Sequence, residues 1–255
     1  MKKIRLDQHL VECQLVDDIN IARSLIIQGK VYVNQQQNTK PGTGVSIDTR
    51  DIIIKRPIHD YVSRGALKLI AALDHFNIDP QGLICLDIGS STGGFTEVLL
   101  RRKAEKIFAV DVGYGELHHK LRNNPRISVI ERTNARYLTI EQISLPPDII
   151  VCDASFISLT TILPTAFGLA KDNCRLIALI KPQFEVAKNE VGNGGIVRSQ
   201  LLHQKVCDKI QQWLESNYNF NIFGVIPSPI LGAKGNQEFL IYGQRSPGIP
   251  ITIVN

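Results

Sequence analysis

No apolar stretch in these 255 residues approaches the run of about 18 that would read as a membrane helix. The chain opens on Met1-Lys-Lys, polar where a secretion signal needs an apolar core, so the expected compartment is the cytoplasm. Cysteine is sparse and unpatterned. The five cysteines are odd in number and none lies in a C-x-x-C spacing, which argues against a disulfide framework or a zinc ribbon. Cys85 and Cys152 fall inside apolar runs, where a thiol behaves as a small hydrophobe. His118-His119 has no further ligand at a suitable spacing and reads as a solvent-facing helix, so no metal is expected. A dominance of one charge is missing as well. A net charge of +5 tolerates a polyanionic partner without demanding one.

What the chain does have is a stretch around which the rest is organised, Leu86–Leu100. Ile84–Ile88 is long enough for a buried strand and too short for a helix; it breaks at Gly89 and restarts as a helical pattern near Phe95. Such a turn directs free N–H groups at whatever sits above it. Three occupants are compatible with it. A dinucleotide fits poorly, because Ser91 stands where G-x-G-x-x-G needs its second glycine. Gly89-Ser-Ser-Thr-Gly93 is a literal G-x-S-x-G, the nucleophile elbow of hydrolases. That chemistry needs a late histidine, and His203, the single candidate, lies inside an amphipathic helical pattern. The third occupant is S-adenosyl-L-methionine. Asp111 ends the next strand 22 residues after Gly89, where a carboxylate can accept both hydroxyls of a ribose. Asn134, just past the third strand, is placed to meet an adenine edge or to serve as an ordinary turn residue.

From Ile84 onward strands and helices alternate, which calls for a parallel sheet with helices on both faces. Strands are expected at 84–88, 106–110, 127–130, 149–152, 176–180, 222–226 and 239–242. Helices are expected near 95–103, 115–122, 139–143, 158–170 and 199–217. The last two strands are joined by a Pro- and Gly-bearing loop without a helix and are expected to be antiparallel neighbours. Upstream, a helix is expected from Tyr61 with Ser63 as its N-cap, placing Lys68 in its first turns. A cation is unfavourable there on dipole grounds, which gives Lys68 a reason to have another partner.

Residues 1–60 read differently. Arg5-Leu-Asp7 begins one amphipathic helix, a second carries Ile21, Ala22, Leu25 and Ile26 and stops at Gly29, and short alternating segments follow. The order of these elements, with Arg5-Leu-Asp7, Ala22-Arg-Ser-Leu-Ile26, Gly29-Lys-Val31 and Val33-Asn34, resembles the S4 RNA-binding domain. Gln35 departs from the family's usual glycine and suggests a looser hairpin. The resemblance implies that Arg5, Arg23 and Lys30 face RNA phosphates, which supply affinity rather than sequence choice.

Asp153 ends the fourth strand of the alternating region, Lys181 ends the fifth and Glu238 opens the last. With Lys68 they would meet at the carboxyl edge of the sheet, where ligands of open α/β sheets bind. These four residues resemble the Lys-Asp-Lys-Glu tetrad of the FtsJ-like ribose 2′-O-methyltransferases. Further motifs run the length of the chain: Ser63-Arg-Gly-Ala-x-Lys-Leu69, Gly89-Ser-Ser-Thr-Gly-Gly-Phe-Thr-Glu97, Asp111-Val-Gly-Tyr-Gly-x-Leu117, Glu131-Arg-Thr-Asn-Ala-Arg136, Ser155-Phe-Ile-Ser-Leu159 and Lys181-Pro-Gln-Phe-Glu185. Together with the first module they resemble the TlyA family, whose members are ribosomal RNA 2′-O-methyltransferases that often carry the name hemolysin.

The resemblance implies a class I (Rossmann-like) α/β methyltransferase, with a seven-stranded, mostly parallel sheet, behind a small α+β S4 domain. It implies boundaries at 1–56 for the S4-like part, 57–62 for a linker beginning near Lys55-Arg56-Pro57, 63–246 for the catalytic part and 247–255 for a tail. The implied cofactor residues are Gly89, Ser90, Ser91, Gly93, Phe95, Asp111, Val112, Asn134 and Asp153. Lys68, Asp153, Lys181 and Glu238 carry the chemistry, while Arg64, Arg136 and Lys188 add to a basic rim for RNA. The implied partner is ribosomal RNA within a ribosomal subunit, and the implied target is a cytidine of large-subunit RNA, with small-subunit RNA left open as a second substrate.

The chemistry agrees with this assignment. A ribose hydroxyl must lose its proton as it attacks, and an amine can receive that proton only where burial and a second ammonium favour its neutral form. Lys181 is the expected base, with Lys68 as the second cation. Asp153-Ala-Ser-Phe156 lacks the paired prolines with which base-amine methyltransferases hold a planar amine. Two other classes remain to be weighed: an RNA-binding protein without catalysis, which would have no use for an intact tetrad, and a cytolysin, which would need a membrane-active segment. The Gly-rich stretch Val191-Gly-Asn-Gly-Gly-Ile196 reads equally as a lid and as a surface connection.

Overall fold

Short apolar segments separated by turns give the first sixty residues only small elements. The computed structural model describes residues 3–16, 18–27, 29–54 and 60–247, and it divides the chain into two units, Met1–Asp60 and Tyr61–Asn255. Residues 55–59, with the first half of the linker expected at 57–62, and all but the first residue of the tail expected at 247–255 lie outside the described residues.

Unit 1 runs β1 (Lys3–Arg5), α1 (Leu6–Glu12), α2 (Ile19–Ile27), β2 (Val31–Val33), β3 (Gln36–Asn38), β4 (Gly44–Ser46) and β5 (Ile52–Ile54). Strand β2 is flanked by β3 and β5, both antiparallel to it, and β1 pairs with β4. Leu6, Leu10, Ala22, Ile26 and Val31 are fully buried between the helices and strands. The turn from β2 to β3 is tight rather than loose. Asn34 and Gln35 both take positive φ, 47° and 65°, as a two-residue hairpin turn of the primed type requires.

Unit 2 continues with α3 (Ala66–His75), β6 (Ile84–Ile88), α4 (Gly94–Arg101), β7 (Lys106–Val110), α5 (His119–Arg122), β8 (Ile127–Ile130) and β9 (Ile149–Cys152). It closes with α6 (Leu159–Ile162), α7 (Pro164–Leu169), β10 (Arg175–Ile180), α8 (Pro182–Glu185), α9 (Gln200–Tyr218), β11 (Phe220–Pro227) and β12 (Phe239–Arg245). All seven strands join one sheet in the order β11-β12-β10-β9-β6-β7-β8. Strand β12 is antiparallel to both of its neighbours and stands between them, so the sheet's irregularity is one strand in from its edge. Each face of the sheet carries its own buried cluster, one with Phe108, Phe167 and Ile210, the other with Leu69, Leu73, Leu99 and Ile107.

The strands lie within a few residues of their expected positions, whereas several helices differ. Pro164 splits the long helix expected over 158–170 into α6 and α7, since its ring occupies a first helical position. Residues 139–143 form a turn, and the expected 115–122 helix shrinks to α5. Ser63 is not the N-cap of α3. Gly65 holds that position, and the Ser63 hydroxyl accepts the Gly65 N–H (3.2 Å) in the turn before the helix.

The antiparallel strand has a direct consequence for the site. Ile180, at the end of β10, pairs with Phe239, at the start of β12. The residue before β12 therefore reaches the same sheet edge as the residues after β9 and β10.

Candidate active site

Four charged side chains meet at that edge. Lys68 enters from the third residue of α3, Asp153 follows β9, Lys181 follows β10 and Glu238 precedes β12. Lys68 Nζ lies 2.8 Å from Glu238 Oε2 and 3.3 Å from Asp153 Oδ2, and Lys181 Nζ lies 2.7 Å from Asp153 Oδ1. The order is thus Glu238–Lys68–Asp153–Lys181, alternating in sign and bridged at its centre by one carboxylate. Lys68, Lys181 and Glu238 are each less than a tenth exposed. Buried ions persist only when paired, and here each cation has a carboxylate at contact distance. Lys68 sits at the unfavourable end of its helix because Glu238 and Asp153 are its partners.

Lys181 Nζ also donates to the Asp153 carbonyl (3.1 Å) and to Ser155 Oγ (2.9 Å). Ser155 is a contact the sequence reading missed; its place two residues after Asp153 was the available signal. Gly232 is another. A Cβ there would overlap the Glu238 carboxylate, so the loop before β12 needs glycine for Glu238 to reach Lys68.

The tetrad lines a cavity of 610 Å³ whose walls also include Arg64, Gly89, Ser90, Ser91 and Phe95. A second cavity, of 560 Å³, opens over the neighbouring strand ends. Its walls are Asp111, Val112, Asn134 and Arg136, with the apolar Ala135, Ile157 and Ile162. The two share Gly89, Ser91, Asp153, Ser155 and Phe156. Gly89, at φ 81°, brings its backbone against the segment after β9. A Cβ there would lie 3.0 Å from Ala154 N and Cα, tighter than side chains tolerate. Gly93, at φ 100°, leaves no room for a Cβ beside Leu121 and takes no part in either lining.

Asp111 is held in the second cavity by two backbone donors: Ser91 N–H reaches its Oδ2 and Gly113 N–H its Oδ1, both at 2.8 Å. Asn134 Oδ1 accepts the Arg136 N–H (3.1 Å) and caps the short turn that follows, so the turn role and the place in the cavity wall coexist. A carboxylate at one end, apolar walls and a side-chain-free approach at Gly89 together suit a nucleoside.

The basic candidates divide. Arg64 and Arg136 are exposed on the rims of the first and second cavities, whereas the exposed Lys188 lines neither. In unit 1, Arg5 and Arg23 converge on the fully buried Asp7, with contacts of 2.7 and 3.0 Å, while each stays about half exposed. The two guanidiniums hold the Asp7 carboxyl at about 2, well below the usual carboxylate range. Lys30 lies just before β2.

Residues 61–245 match the family model of the FtsJ-like methyltransferases. Over 241 residues the chain is 43% identical to the 16S/23S rRNA (cytidine-2′-O)-methyltransferase TlyA of Mycobacterium tuberculosis, covering 94% of this chain and 90% of that protein. The chain belongs to the TlyA family. Hemolysin A of Brachyspira hyodysenteriae, a relative with the other name this family carries, is 38% identical over 94% of this chain and 99% of its own. Among solved structures, a protein from Streptococcus thermophilus described as a hemolysin superposes with a TM-score of 0.73 at 37% identity, covering 97% of this chain and 90% of that one. The seven-stranded sheet with its penultimate antiparallel strand is thus a TlyA-family methyltransferase fold. Among the described residues no group of three or more His, Cys, Asp or Glu side chains could hold a metal, and no helix is long and apolar enough to cross a membrane.

Proposed function

We propose that this TlyA-family chain transfers a methyl group from S-adenosyl-L-methionine to the 2′-hydroxyl of a cytidine in ribosomal RNA. The observation that carries the reading is the alternating tetrad in a cavity that shares its wall with a nucleoside-shaped one. The relative from M. tuberculosis, named for cytidine-2′-O transfer on 16S/23S rRNA, supports the substrate class. S-adenosyl-L-methionine supplies, when bound, an electrophilic sulfonium methyl.

Asp111 would hold the ribose of the cofactor, Val112, Asn134 and Ala135 its base, and Gly89, Ser90 and Ser91 its approach to the tetrad cavity. There the RNA ribose presents its 2′-oxygen. Lys181 would accept the hydroxyl proton as that oxygen bonds the methyl carbon and the methyl–sulfur bond breaks, releasing a thioether. Asp153 and Ser155 fix Nζ along the required line, and Lys68 with Glu238 holds Asp153 in place. Much of the rate comes from this orientation, since a positioned hydroxyl and methyl react as one unit. Unit 1 acts as an S4-like RNA-binding module with Arg5, Arg23 and Lys30 toward phosphates, and ribosomal subunits are the physical partner, met in the cytoplasm.

The test incubates the purified chain with methyl-labelled cofactor and each separated ribosomal subunit, then maps the methylated ribose by reverse-transcription stops. Label in a cytidine 2′-position is the expected result, and no transfer to either subunit would refute the reading. Lys181→Ala should abolish transfer while leaving cofactor binding intact. Lys181→Arg should fail as well, because a guanidinium stays protonated.

A further inference from the structure

Asp153 and Lys181 follow neighbouring strands, but the strands do not fix how the segments beyond them meet. The stretch 153–158 leaves β9 as irregular backbone, with Phe156 at φ 66° and almost fully exposed. On the other side, α8 is a single turn that begins immediately after Lys181. Besides Lys181 itself and the Phe156–Phe184 ring contact, a buried carboxylate joins the two segments. Glu185, the last residue of α8, is buried, and both carboxylate oxygens are occupied from across the gap. Ser158 Oγ donates to Oε2 at 2.7 Å and Leu159 N–H donates to Oε1 at 2.8 Å.

We propose that Glu185 is a positioning residue, tethering the segment that carries Asp153 and Ser155 to the one that carries Lys181 and so setting the line along which Lys181 Nζ works. The inference rests on the methyltransferase reading above.

Stability alone does not account for a carboxylate here. Removing an ionised group from water is costly, and burial raises the Glu185 pKa. Lys209, the cation that acts on the carboxylate electrostatically, donates to the Glu185 backbone carbonyl (3.1 Å). A carboxylate is what the donors require. Ser158 Oγ already accepts the Thr160 N–H (3.2 Å) and lies 2.8 Å from Thr160 Oγ1, so its own hydrogen is directed at Glu185. Leu159 N–H is a second fixed donor. Glutamine has the same shape but accepts on one oxygen only and would point an N–H at a hydroxyl already engaged. The charge is therefore kept for the double tether.

Glu185→Gln in the full chain separates this role from a merely structural one. Relief of the carboxylate's desolvation is set against one unmatched buried donor, so the melting temperature should change only slightly, while kcat falls about ten-fold or more through misplacement of the base. KM for the cofactor should be unchanged, because the second cavity keeps its walls. Amide exchange across 154–160 should quicken with no substrate present. Ser158→Ala removes one tether from the other side and should reproduce the lower kcat and the faster exchange, which covers the case in which the Glu185→Gln protein fails to fold. An unchanged kcat, or a kcat that falls only in step with stability, would overturn the proposal. Should the wild type transfer no methyl at all, the methyltransferase reading fails on its own, and the exchange rates still decide whether the tether exists.

Discussion

Asp87 stands two residues before the glycine turn, fully buried, and burial pushes its carboxyl up to about 7. Thr96 Oγ1 donates to its Oδ2 at 2.6 Å, which favours the ionised form, but desolvation outweighs that bond. Its Oδ1 has no hydrogen-bond partner among the described residues. A carboxyl whose pKa is raised by folding stabilises the protein while it is protonated. That contribution is complete below the unfolded value near 4 and is lost as the pH rises through about 7. The melting temperature of the wild type should therefore decline between about pH 4 and pH 7 relative to that of Asp87→Asn, whose amide still accepts from Thr96 and does not titrate. Parallel melting curves for the two proteins across that range would contradict the assignment.

Elements meet at this site through single side chains, and the Gly-rich stretch shows it as plainly as Glu185 does. Val191 and Gly195 of this stretch line the tetrad cavity, and Gly192 is bridged to Ile196. Asn236, two residues before Glu238, is buried and divides its amide between that stretch and its own loop. Oδ1 accepts the Val197 N–H (3.1 Å), and Nδ2 donates to the carbonyls of Gly195 (2.9 Å) and Ala233 (3.2 Å). Leaving such donors and acceptors unmet costs about 1–3 kcal/mol each. Asn236→Ala should loosen both the wall and the approach to Glu238. Steady-state kinetics should show a higher KM for RNA with an unaltered KM for cofactor; a rise in the cofactor KM instead would remove the wall from this account.

The strands of unit 2 and the sheet edge that carries the tetrad were legible in the sequence, because apolar runs ending in Asp153 and Lys181 follow from burial and period alone. The tethers were not. Glu185 and Asn236 each serve partners more than 25 positions away, and no local pattern separates such residues from surface polar ones. Ser63 misled for a related reason: it satisfies a local turn instead of the helix, a choice that neighbouring chain geometry decides.

At the scale of the whole molecule, two chemically different units share one chain. In unit 1, Arg5, Arg23 and Asp7 together carry a net charge of +1, so their attraction for phosphate is partly spent inside the unit. Lys30 forms no such ion pair among the described residues. The logarithm of the affinity for ribosomal RNA should fall linearly with the logarithm of salt concentration, and Lys30→Ala should reduce that slope by about one phosphate contact. An identical slope for wild type and variant would remove Lys30 from the interface.

The wall between the two cavities is thin: Gly89 and Ser91 on one side, Asp153, Ser155 and Phe156 on the other. A single molecule joining an adenosine to a second ribose through a short bridge would thread that gap and occupy both chambers at once. Its two ends would each bring their own binding free energy while the loss of overall freedom is incurred only once. Such a chimera offers a route to inhibitors that neither half provides alone.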